Sequence, residues 1–76
     1  MTKVAVVFAE GFEEIEALSP VDVFRRAGFD CSMLGLESAS VTGSHGIQVA
    51  MDGVFDGNFA DYDLVEIGRA SCRERV

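Results

Sequence analysis

The stretch KVAVVFAEGFEEIEALSPVDVFRRAGFDCSMLGL, residues 3–36, decides the fold. Residues 3–9 form a near-continuous valine-rich run, the pattern of a strand buried on both faces of a parallel sheet. Gly11 breaks that run. A helix is predicted over residues 13–27, closed by Gly28 as a left-handed cap. Residues 29–36 read as a second strand, so the stretch is a β-α-β unit with the right-handed crossover expected of parallel strands.

Working outward, residues 38–55 carry Gly43, Gly46 and Gly53 between short alternating pieces (VTG, IQVAM), most simply one or two short strands folded as a hairpin. Residues 58–61 are a polar turn, and YDLV (62–65) begins another buried strand. Seventy-six residues allow one domain at most, since a chain this short buries only about 60% of its unfolded surface. A net charge of −7 and a pI near 4.4 argue against nucleic acid or an anionic membrane as partner, because both require clustered cations. No apolar run approaches the ~18 residues of a membrane span, and no secretory leader pattern opens the chain. The expected location is cytoplasmic. Cys31 and Cys72 are too few for a disulfide framework and lie in unlike surroundings.

The segment EIGRASCRERV, residues 66–76, departs from this pattern. It holds Arg69, Arg73 and Arg75, while residues 1–65 carry three cations (Lys3, Arg25, Arg26) against eleven acidic residues. Glu66 stands where the strand begun at YDLV needs another apolar residue, so the strand is expected to be interrupted after Val65. The segment resembles a translated sequencing-adapter, which would make it a non-native tail to be left out of fold reasoning. The other reading is a genuine short amphipathic C-terminus.

Four carboxylates, Glu10, Glu13, Glu14 and Glu16, follow the first strand. At about 100° per residue, Ala17, Pro20, Val21, Phe24 and Ala27, with Val23 at the margin, form the arc facing the sheet. On that projection Glu16 lies at the edge of the arc, Glu13 near its middle, and Glu14 leans toward the Arg25 flank and water. Pro20 cannot donate to the Glu16 carbonyl, so the helix is expected to kink or restart with Ser19 as N-cap and Pro20 at the first helical position. A carboxyl desolvated near the carboxyl ends of parallel strands can serve as a general acid or orient a neighbouring anion. The plainer alternative is that all four merely complement the positive end of the helix dipole.

FAEGFEEIEALSPVDVFRRAG, then VTGSHGIQV and YDLV, together resemble the N-terminal part of the DJ-one/PfpI (ThiJ/PfpI) superfamily over residues 1–65. The shared pattern is a strand, A-x-G-x-E-E-x-E, a helix with P-x-D-x-x-R-R-A-G, and later Y-D-[VL]-V. The resemblance implies an α/β flavodoxin-like (Rossmann-like) three-layer sandwich with a parallel sheet, of which only the N-terminal β-α-β-hairpin-β portion is present. It also implies that Glu16, the last glutamate of E-E-x-E, hydrogen-bonds a catalytic cysteine and assists proton transfer. Gly11 and His45 fall on the pocket side, and Ile15, Ser19 and Arg26 fall on the helix through which members form homodimers. The family's P-G-G loop and nucleophile elbow are missing after YDLV. No nucleophile is therefore expected in this chain: Cys31 reads as a buried packing thiol, and Cys72 as a thiol of the foreign segment.

What the resemblance implies for the parent is a cysteine-dependent enzyme acting on reactive α-oxoaldehydes or their adducts (glutathione-independent glyoxalase or deglycase), with this chain inactive and with no cofactor or metal. The alternatives are a non-catalytic stress sensor or chaperone-like protein, and an amidase or protease-like member. A nucleotide or flavin domain is disfavoured, because AEGFEE lacks a phosphate-binding glycine pattern and its carboxylates repel phosphate.

Overall fold

The computed structural model describes residues 2–68. In chain order the elements are β1 (Lys3–Phe8), α1 (Glu14–Arg26), β2 (Asp30–Gly35), β3 (Ser40–Thr42), β4 (Gln48–Ala50), β5 (Gly53–Val54) and β6 (Leu64–Gly68). Four strands form one parallel sheet in the order β5-β2-β1-β6, while β3 and β4 pair antiparallel as a separate hairpin.

β1 is central, which explains its composition. Val4 to Val7 pair in register with Cys31 to Leu34 on one side and with Leu64 to Ile67 on the other. A strand enclosed on both edges has apolar residues on both faces, and Val4, Ala5, Val6, Val7 and Phe8 are all buried. Val4, Val6 and Phe8 join Ala17 and Val21 of α1 in the core, together with Phe12, Cys31, Val41 and Met51.

The end of α1 follows local chemistry. Gly28 adopts φ +89°, its N–H donates to the Arg25 carbonyl, and the Phe29 N–H reaches back to the Phe24 carbonyl at 3.0 Å. Phe24 and Phe29 stack with centroids 5.8 Å apart, completing the hydrophobic contact of this helix ending. The other flank is fastened by Arg25, whose Nε and Nη2 both donate to the Cys31 carbonyl and whose Nη2 also donates to Asp52. Asp52 in turn accepts the Met33 N–H at 2.7 Å.

Three expectations are corrected. The helix neither restarts nor takes Ser19 as a cap: α1 is continuous across Pro20, with Glu13 as N-cap. Ala17 and Val21, on either side of the proline, both bury against the same sheet, so a break between them would unseat one. The last strand is not interrupted at Glu66. β6 runs to Gly68, because main-chain pairing with β1 continues while the Glu66 side chain remains exposed. Gly68 is required by its position, since a Cβ there would lie 2.7 Å from the Ala17 Cβ. Thirdly, β5 is a strand of its own, added beside β2 at the sheet edge. Arg69, Cys72, Arg73 and Arg75 lie outside the described residues. Among the described residues, no helix is long and apolar enough to cross a membrane.

Because α1 persists through Pro20 without that residue's N–H, Pro20→Ala restores a helical hydrogen bond. It should raise unfolding free energy by about 2 kcal/mol, allowing for the looser unfolded chain. The urea midpoint of the chain measures this; a lowered midpoint would mean that packing of the proline ring outweighs the missing bond.

Candidate functional site

The site is built on the turn that leaves β1. Phe12 anchors it, fully buried and edge-on to Phe8 at 4.9 Å. Gly11 takes φ +81°, a conformation open to glycine without strain, and its N–H donates to the Thr42 carbonyl at 2.8 Å. The Ser44 N–H donates to the Phe12 carbonyl, again at 2.8 Å. These two bonds lay the β3–β4 hairpin across the start of α1.

The carboxylate that turns inward is Glu14. It is only 6% exposed. Its Oε2 accepts the His45 N–H at 2.8 Å, its Oε1 lies 2.9 Å from His45 Nδ1, and the Ser44 hydroxyl donates to Oε1 at 3.4 Å. Gly43 makes room for it, because a Cβ at that position would overlap the carboxylate. Glu13 stands at the rim, with Oε1 4.0 Å from Nδ1. The hydrogen bond from His45 holds Glu14 down at a pKa of about 2, against the opposing effect of burial. The same bond, helped by the negative charge of Glu14 and then Glu13, raises the pKa of His45. Both shifts describe one ion pair.

Glu14 was expected to lean toward water, and Glu16 to be the inward carboxylate; the structure reverses their placement. Glu14 shares a face with Ala17 and Val21, three and seven residues on, whereas Glu16 lies on the exposed side. The difference arises at the flanks of the projected arc. Leu18 packs against the core, while Val23 and Ala27 are exposed, so the inward direction is rotated toward Glu14. Spacing to Leu18 and the small Gly43 opposite are the signals that could have identified Glu14.

The other candidates fall in separate places. Gly11 and His45 are brought to one side of the turn by the bonds above. Ile15 is 80% exposed, and Ser19 and Arg26 are exposed with it, Arg26 paired to Asp22 at 2.9 Å. Cys31 is buried in β2, and desolvation raises its thiol pKa although Arg25 opposes this, so it is an inert packing group. Glu13, Glu14 and His45 each bring one ligand-type atom within 4.8 Å of the others. His45 Nδ1 and Glu14 Oε1 are engaged with each other as an ion pair at 2.9 Å.

The pair sets a pH window for hairpin docking. Glu14, lowered from 4.5 to about 2, contributes stability above pH 4.5 that is lost as pH falls toward 2. His45, raised above 6.5, contributes stability below pH 6.5 that is lost as pH rises through its folded pKa. Amide exchange at Ser44 and His45 should therefore be slowest, after correction for intrinsic rates, between about pH 4.5 and 6.5. Glu14→Gln should flatten both limbs; an unchanged profile in that variant would assign the dependence elsewhere.

The chain resembles known proteins throughout the described region. An uncharacterised protein of Staphylococcus aureus is 37% identical over 67 residues, covering 86% of this chain and 39% of its own length. A Bacillus subtilis protein, YraA, described as a candidate cysteine protease, is also 37% identical over 67 residues, with 86% and 40% covered. The chain thus spans about two fifths of the length of these relatives. Among solved structures, oxidised Toxoplasma gondii DJ-1 matches with a TM-score of 0.84 at 33% identity, over 92% of this chain and 39% of that one. A cysteine-to-alanine variant of a DJ-1 superfamily protein from Salmonella typhimurium matches with a TM-score of 0.68 at 42% identity, over 71% and 30%. These neighbours share the α/β flavodoxin-like architecture, of which this chain holds part. The family model described as DJ-1/PfpI matches residues 2–72, and the chain belongs to the DJ-1/PfpI family.

Proposed function

We propose that a complete protein built on this segment is a cysteine-dependent enzyme acting on reactive α-oxoaldehydes such as methylglyoxal, or on their adducts, with Glu16 as acid/base partner of the nucleophile. The observation that carries this reading is the position of the E-E-x-E run. It falls at the start of α1, just beyond the carboxyl end of β1. In open parallel sheets, ligands bind outside the carboxyl ends of the strands where the winding reverses. Here the chain goes from β1 to β2 on one side and later returns to β6 on the other. Glu16 is exposed on this turn, on a surface that a longer chain can cover. Two solved relatives, one an oxidised form and one a cysteine-to-alanine variant, support a reactive thiol in the family.

This chain itself should be inactive. Its described cysteine, Cys31, is buried and its thiolate disfavoured. Incubated with methylglyoxal, the purified chain should consume no more than buffer and a thiol-blocked control; turnover above both would overturn the proposal. When residues 1–65 replace the matching segment of the Bacillus subtilis relative, Glu16→Gln should lower the rate of aldehyde loss at least about tenfold if Glu16 moves a proton. An unchanged rate would remove Glu16 from that role. The name of that relative favours a second reading, a hydrolase, which the same chimera would reveal by cleaving peptide or amide substrates instead.

The proposal includes a homodimer formed through α1, a cytoplasmic location, and no nucleic-acid partner for an acidic chain. Ile15 lies between two shallow grooves, one lined by Leu18, Ser19 and Asp22 and the other by Glu13, His45 and Ile47. A symmetric contact places the same patch against itself. In the chimera, Ile15→Lys should halve the mass seen by light scattering, and a dimer of unaltered mass would refute the assignment. The reading of residues 66–76 as a non-native tail rests on composition, and the genomic sequence beyond the codon for Val65 tests it.

A further inference from the structure

The chain contains two Asp-Gly pairs, Asp52–Gly53 and Asp56–Gly57. In such a pair the aspartyl side chain can close on the next main-chain nitrogen, because glycine has no Cβ to obstruct the approach. We propose that Asp56–Gly57, in the turn between β5 and β6, is a modification site at which the aspartate cyclises to an imide and reopens as isoaspartate, while the fold protects Asp52–Gly53. This chemistry involves neither a cysteine nor Glu16.

Asp52 is tied to two other elements. Its Oδ2 accepts from Arg25 Nη2 of α1 at 2.9 Å and from the Met33 N–H of β2 at 2.7 Å, and its own N–H donates to the Met33 carbonyl at 2.7 Å. Gly53 opens β5 in register with Leu34. Turning the Asp52 carboxyl onto the Gly53 nitrogen would give up both donors. The reaction there requires a local opening of this sheet edge.

Asp56 meets no such restraint. It is exposed, as are Gly57 and Asn58, and its Oδ1 accepts the Asn58 N–H at 2.9 Å, a bond within the turn itself. Among the described residues, neither Asp56 Oδ2 nor the Gly57 N–H makes a hydrogen bond. Gly57 takes φ +87°, which a residue with a side chain would adopt only under strain. Beyond its chain neighbours, no heavy atom lies within 4 Å of the place its Cβ would occupy. The turn therefore needs glycine for its shape, and that glycine leaves its nitrogen unshielded.

The reaction balances with water alone. The Gly57 nitrogen gives up its proton to water and bonds to Cγ of the protonated Asp56 carboxyl, whose hydroxyl leaves as water. A second water then adds across one of the two imide C–N bonds. Cleavage at Cγ restores aspartate. Cleavage at the main-chain carbonyl carbon leaves Gly57 joined through Cγ and frees an α-carboxylate, with no net change in composition. The product carries one more main-chain methylene between Phe55 and Phe59, whose rings lie 5.1 Å apart, and lacks the side-chain carboxylate that accepted the Asn58 N–H.

The experiment holds the whole chain for weeks in warm, mildly acidic buffer, within the pH window of the Glu14–His45 pair. Isoaspartate is then located by peptide mapping with electron-based fragmentation, beside a sample kept unfolded in urea. Isoaspartate at residue 56 should accumulate ahead of residue 52, and the ratio of the two should exceed that of the unfolded sample by about tenfold or more, since Asp52 must open before it reacts. Asp56→Glu, which keeps the charge but disfavours the five-membered ring, should abolish the product at 56 only. Arg25→Gln should raise the product at 52 severalfold and leave that at 56 unchanged. No isoaspartate at 56, or equal ratios in folded and unfolded samples, would overturn the proposal; this comparison uses the unsubstituted chain and does not depend on either variant folding. None of these outcomes bears on aldehyde turnover.

Discussion

The buried carboxylate of Glu14 is the constraint around which the carboxyl edge of this fold is organised. An ionised group taken out of water is tolerated only when its oxygens are matched by donors. Glu14 is matched by one turn of the hairpin, through a backbone N–H, an imidazole and a hydroxyl. That requirement fixes the distance of the hairpin from α1, demands glycine at 43, and sets the orientation of the His45 ring. The two main-chain bonds from Gly11 and Ser44 act in the same direction but carry no side-chain information. A carboxylate facing three donors from two adjacent residues therefore selects one docking geometry among those that main-chain bonds alone would permit.

This local order rests on the sheet beneath it. Among the described residues, β1 is paired on both sides from Val4 to Phe8, and its last residues position the turn at residues 9–13. The Ala9 N–H donates to the Gly68 carbonyl and the Leu36 N–H to the Phe8 carbonyl, so the turn begins at a point held by both neighbouring strands. Gly68, pressed against Ala17, lets α1 approach the sheet there. The start of α1 is consequently held from the sheet side, even though its N-cap has no side-chain hydrogen bond.

What could be read from the sequence was mostly what depends on near neighbours. The valine run of β1, the Gly28 ending of α1 and the hairpin across Gly43 and Gly46 each follow from residues a few positions apart, and each is present. The misreadings share a different cause. Pro20 breaks an isolated helix, but Ala17 and Val21 bind both halves to one core. Glu66 looks wrong for a buried strand, but among the described residues β6 lies at the sheet edge and its pairing is main-chain to main-chain. β5 is two residues long and carries no periodic signal. Glu14 was missed because its partner is thirty-one residues away, and no helical projection contains a hairpin turn.

The neighbouring carboxylates of E-E-x-E thus meet opposite environments within a single turn of helix. Glu14 is consumed by structure, held ionised and inaccessible to any bulky partner, while Glu16 remains on the outside of the same turn. A residue that assists proton transfer must reach its partner and change protonation state; a residue locked to three donors with a pKa near 2 does neither at neutral pH. The geometry therefore separates the two roles that one acidic motif could serve. Glu14 orients its surroundings, including the His45 imidazole held 2.9 Å from its Oε1, and is thereby spent on structure.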